Sequence, residues 1–113
     1  MAMVIAAIPD IFFRAKVLET AKQLSIQVEV ARDADELLQQ VRAEKPRLIL
    51  MDLQSKVLQP LDTLIALEGI PTVGYLAHEE VDLRVQALAA GCGEVLTKGQ
   101  FSASLAALLR RVL

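Results

Sequence analysis

Asp52 is the residue best placed to do chemistry. It closes the stretch RLILMDL, with Leu48, Ile49, Leu50 and Met51 before it and Leu53 after it. An apolar run with so little alternation fits a strand covered on both faces, as in the middle of a parallel sheet. An acid at the carboxyl end of such a strand lies at the edge where open α/β sheets carry their sites. There it acts as an anion, whether nucleophile, ligand or counter-ion. The plainer alternative is that Asp52 begins a turn or caps something local. Position alone leaves both open.

The other reactive residue types are few. Lys98 ends the run GCGEVLTK and closes a second strand. Asp10, directly after Pro9, is placed to cap a helix and to favour its positive end. His78 is the sole histidine and falls in a loop, where a solvated side chain is expected. Cys92 is the sole cysteine, which excludes an internal disulfide and a cysteine-rich metal site. It reads as a small buried residue. The segment IPDIFF after the first strand has no glycine, so it offers no backbone cradle for a phosphate.

With 113 residues the chain is long enough for one domain, 1–113, with a real core. Its 54% apolar and 4% aromatic content makes that core aliphatic. Twelve basic and fourteen acidic residues give a net charge of -2, and neither sign collects into a block. That gives no electrostatic basis for nucleic-acid binding. The opening MAMVIAAIPDIFF lacks a basic region and is too short to span a bilayer, so a cytoplasmic protein without membrane association is expected.

The elements that must position Asp52 and Lys98 alternate along the chain. Met3 to Ile8 reads as a buried strand, and Ile11 to Leu24 as a helix with Phe13, Val17, Ala21 and Leu24 on one stripe. Gln27 to Val30 is a strand whose Glu29 argues for an edge. Asp33 and Glu36 have capping-box spacing before a helix that turns Leu37, Leu38 and Val41 inward and stops before Pro46. After the Asp52 strand comes a loop over residues 54–60. Pro60 then starts a short helix with Leu61, Leu64, Ile65 and Leu67 as its apolar residues, ended by Gly69. The strand TVGYL follows, its Gly74 suggesting close approach by a neighbouring backbone. A helix over Val81 to Ala90 stops at Gly91, Glu94 to Thr97 is a brief strand, and a last helix covers Ser102 to Leu113. Five strand–helix repeats predict an α/β three-layer sandwich, flavodoxin-like and doubly wound, with parallel strand order 2-1-3-4-5.

In order, number and length of elements, and in Asp52, Lys98, the Gly91 helix stop and Arg14, the whole chain resembles the receiver domain of two-component response regulators. The resemblance implies that Asp52 corresponds to a phosphoacceptor and Lys98 to its partner lysine. It also marks departures. The two acids that hold magnesium in the family fall on Ile8 and Pro9, neither of which can ligate a hard cation. Asp10 comes next, with its direction set by the helix it begins. The family hydroxyl that closes strand four falls on Leu76, and the switch aromatic of strand five on Val95.

Phosphoryl transfer needs charge neutralised and oxygens held in line. Of the elements that do so in the family, Lys98 alone plainly survives. The expectation is a degenerate receiver, not an enzyme and without a cofactor, that works as a protein-interaction module independent of phosphorylation. Asp52 and Lys98 would then form an ordinary ion pair or hydrogen bond. The alternative is an atypical receiver still phosphorylated at Asp52, with Asp10 as partial magnesium ligand. A protein partner or a second copy is expected on the face of the fourth helix, fifth strand and fifth helix. Leu83, Ala87, Ala103, Ala107 and Arg110 are its candidate components, with Leu83 and Ala107 expected to be well exposed.

Overall fold

Side chains of Asp10, Asp33 and Thr97 cap three of the helices and fix where they start. The computed structural model describes residues 2–113. Asp10 accepts the N–H groups of Phe12 (2.8 Å) and Phe13 (3.0 Å) and so starts α1, Ile11–Gln23, after strand β1, Val4–Ala7. Asp33 accepts the Glu36 N–H at 2.8 Å and starts α2, Ala34–Glu44, after β2, Val28–Ala31. The Glu36 carboxylate reaches back one residue further than the usual box, to the Arg32 N–H.

Strand β3, Leu48–Asp52, is followed by a 3-10 turn at Lys56–Leu58 inside the expected loop, and then by α3, Pro60–Ala66, with Pro60 in its first turn. Strand β4 is Thr72–Leu76, α4 is Val81–Ala89, β5 is Glu94–Thr97 and α5 is Lys98–Arg110. The five strands are parallel in the order β2-β1-β3-β4-β5. Glu29 is exposed on the edge strand β2, as its charge required.

Two apolar layers cover the sheet. One packs Ile8, Leu50 and Tyr75 against α1 and α5 through Val17, Phe101 and Leu105. The other packs Ile49, Met51 and Leu76 against α2, α3 and α4 through Leu37, Leu64 and Ala87. Strand β3 therefore lies in the middle of the sheet with both faces covered, which is why its sequence shows no alternation.

Two local expectations are corrected, the start of α5 and the neighbour of Gly74. Helix α5 begins at Lys98, four residues before Ser102. Thr97 caps it, its hydroxyl accepting the Gln100 N–H (3.1 Å) while Gln100 Oε1 accepts the Thr97 N–H (3.0 Å). That reciprocal cap outweighs the cost of about 1 kcal/mol for Gly99 within the first turn. Ile65 is exposed, because so short a helix buries only one side. At Gly74 the close neighbour is the side chain of Leu53 and not a backbone: a Cβ there would lie 2.6 Å from Leu53 Cγ.

Candidate functional site

Strand β3 delivers Asp52 to the carboxyl edge of the sheet, in register with Tyr75 of β4. Residues opposite one another in a parallel pair share a face, so both side chains lie on the α1/α5 side. The Asp52 carboxylate is half-buried, and its Oδ1 accepts the Gln54 N–H at 2.9 Å. Burial pushes its pKa above the usual carboxylate range. The Gln54 N–H, the charge of Lys98 and, least, the nearby Tyr75 hydroxyl oppose that rise, while the charge of Asp10 adds to it.

This shift fixes the sign of a stability effect. A folded-state pKa above the unfolded value means stability that is fully present below the unfolded pKa and lost as pH rises through the folded one. Asp52→Asn should therefore raise the unfolding free energy at pH 7. The gain should shrink towards acid pH, where both side chains are neutral. Urea titrations of the two proteins across pH 3–8 read this, and a variant less stable at pH 7 would contradict it.

Lys98 and Asp52 do not form the expected ion pair. Among the described residues the salt bridges within 4.0 Å are His78–Glu79 and Arg111–Glu94. The reason is the early start of α5, which makes Lys98 a first-turn residue exposed to solvent. It acts on Asp52 through space alone.

Tyr75 and Gln54 are the site residues that sequence reasoning missed. Tyr75 is 1% exposed, stacked against Phe13 (ring centroids 4.8 Å) and tilted against Phe101 (4.6 Å). Its buried hydroxyl meets strict hydrogen-bond geometry with no described residue, yet lies close enough to the Asp52 carboxylate to interact with it. Burial, the charges of Asp52 and Asp10 and that contact push its pKa up. A hydroxyl is thus present beside Asp52, one residue before Leu76. Leu76 and Val95 lie on the opposite face, both buried among the α2–α4 layer. Strand alternation in TVGYL could have pointed to Tyr75, given the β3–β4 register.

The residues around Asp52 lack the paired acids that would anchor a magnesium ion beside it. Ile8, one position beyond the Ala7–Met51 pair, is fully buried in the α1/α5 core and Pro9 offers no side-chain oxygen. Asp10 spends Oδ1 on capping α1. Magnesium keeps several waters and takes only one or two protein carboxylates, so with Ile8 and Pro9 apolar any anchorage would fall to Asp52 and the partly engaged Asp10.

On the α4–β5–α5 face, Ala103, Ala107 and Arg110 are exposed. Leu83 and Ala87 are not as expected. Ala87 is fully buried and Leu83 half-buried against the same core layer. Both apolar stripes of α4 have helical spacing, so periodicity alone could not tell which one meets the sheet. The outward stripe is Val81, Val85 and Leu88, exposed by 62%, 61% and 47%. Arg84 Nη1 donates to the Val95 carbonyl at 2.7 Å and pins this orientation.

No protein-family model and no curated protein sequence matches the chain. Solved structures match its whole length. The receiver domain of NtrX from Brucella abortus is similar at 20% identity and TM-score 0.82 over 97% of each chain. The chemotaxis response regulator CheY4 of Vibrio cholerae is similar at 24% identity and TM-score 0.83, over 100% of this chain and 99% of its own. A response regulator from Hahella chejuensis reaches TM-score 0.86 at 20% identity, over 100% of this chain and 96% of its own. Against a longer NtrX structure the chain spans 27% of that protein's length. In strand order, helix placement and extent, this chain has the fold of a response-regulator receiver domain.

Proposed function

We propose that the protein is a receiver-like regulatory domain that binds a protein partner or a second copy of itself, without control by aspartyl phosphorylation and without a cofactor. The observation that carries this is Ile8. Its side chain is buried in the core at the place where the family's magnesium acids belong, which leaves the charge of an incoming phosphodonor without a metal to neutralise it. Binding is assigned to the α4–β5–α5 face. No helix among the described residues is long and apolar enough to cross a membrane, and a cytoplasmic address belongs to the same proposal.

One observation favours a second reading, in which Asp52 still accepts a phosphoryl group with Asp10 as partial magnesium ligand. The Tyr75 hydroxyl is buried close to the Asp52 carboxylate and is a donor for an oxygen there. The two readings part in one experiment. After incubation with a small-molecule phosphodonor and magnesium, intact mass should be unchanged. A stoichiometric gain of one phosphoryl group, absent in Asp52→Asn, would overturn the first reading and establish the second.

A further inference from the structure

The loop between β4 and α4 is held from an unexpected direction. Helix α4 has Glu80 at its N-cap, and no side chain caps it there. A helix start without a cap leaves N–H groups unmet and is prone to fray. Here the chain just before that start is gripped by the residue two positions after Asp52. Gln54 Oε1 accepts the Ala77 N–H at 2.7 Å, and Gln54 Nε2 donates to Glu80 Oε1 at 3.3 Å. The Gln54 backbone N–H is bound in turn by Asp52 Oδ1. One side chain thus ties the end of β3 to both ends of the β4–α4 connection. The middle of α4 is pinned separately, by Arg84 on the Val95 carbonyl.

We infer that Gln54 is a positioning residue that fixes the start of α4, where the Val81–Val85–Leu88 stripe begins, with no group bound at Asp52. The Leu76 side chain is buried on the opposite face and makes no tie between the end of β4 and the Asp52 loop, and the Gln54 amide supplies one. The functional meaning of this tie rests on α4 being a binding face, but the tie is tested without any partner. It makes the start of the stripe a standing feature of the fold.

The test is amide hydrogen exchange, read by NMR on the intact chain. Gln54→Met keeps the length of the side chain and removes both bonds. Gln54 is exposed, so the fold tolerates the change, and the urea midpoint verifies that it does. The Ala77 amide and the first-turn amides of α4 should exchange about two- to ten-fold faster, the range set by the loss of one solvent-accessible hydrogen bond. Amides of β1 and β3 should keep their rates. Glu80→Ala removes only the longer bond and should leave Ala77 protection intact. Unchanged Ala77 exchange in Gln54→Met would overturn the inference, as would equal loosening in Glu80→Ala. If the α4 face binds nothing, the exchange result still stands and the proposed function alone fails.

Discussion

Leu50→Ala lowers the unfolding free energy by about 2–5 kcal/mol. Leu50 is the middle residue of β3, fully buried, and it packs in the α1/α5 layer with Val73 and Tyr75. Its strand pairs with β1 on one side and β4 on the other, so the backbone around it cannot collapse into the space left by the lost side chain. The loss combines removed burial with a residual cavity, and the low end of the range corresponds to partial relaxation. A domain of this size has about 5–15 kcal/mol in total, so the variant should unfold at clearly lower urea with an unchanged slope. A loss below about 1 kcal/mol would mean that β3 is not the covered centre of the sheet.

A pair of neighbouring substitutions on α4 should behave in opposite ways. Ala87→Glu places a carboxylate where the native side chain is fully buried with no room and no partner. It should cost about 3 kcal/mol or more and can abolish folding. Val85→Glu, two residues earlier on the 61% exposed stripe, should change stability by no more than about 0.5 kcal/mol. It should nevertheless weaken self-association or partner capture if that stripe is the binding surface. Thermal melts read the first contrast and sedimentation velocity the second. A folded, stable Ala87→Glu protein would show that α4 faces the sheet with its other side. Equal association of Val85→Glu and the parent protein would remove this face from the proposed function. Ala107→Glu on α5, also exposed, extends the same comparison to the adjacent helix.

Much of the architecture was legible because its signals are local or compositional. The continuous apolar run before Asp52 marked a strand covered on both faces, and Glu29 marked an edge, which together place β2 outside and β3 inside. Asp10 and Asp33 announced helix starts because capping depends on residues within one turn of each other. The same local signal is present at Thr97 and Gln100, whose spacing sets the start of α5 at Lys98 and not at Ser102.

What only the tertiary structure decided are the contacts between segments distant in sequence. Which stripe of α4 turns inward depended on the sheet and α3 supplying a surface for Ala87, since both stripes are apolar and equally periodic. That Tyr75 rather than Leu76 lies beside Asp52 depended on the β3–β4 register, because a shift of one residue would exchange their faces. The absence of an Asp52–Lys98 ion pair depended on α5 beginning directly after β5, which makes Lys98 a first-turn residue of the helix. In sequence Gln54 is an ordinary loop residue, and its grip on Ala77 spans 23 positions in the chain and exists only because two parallel strands end side by side. The types of the residues at the site were thus set by the chain alone, and their partners by the packing of the sheet.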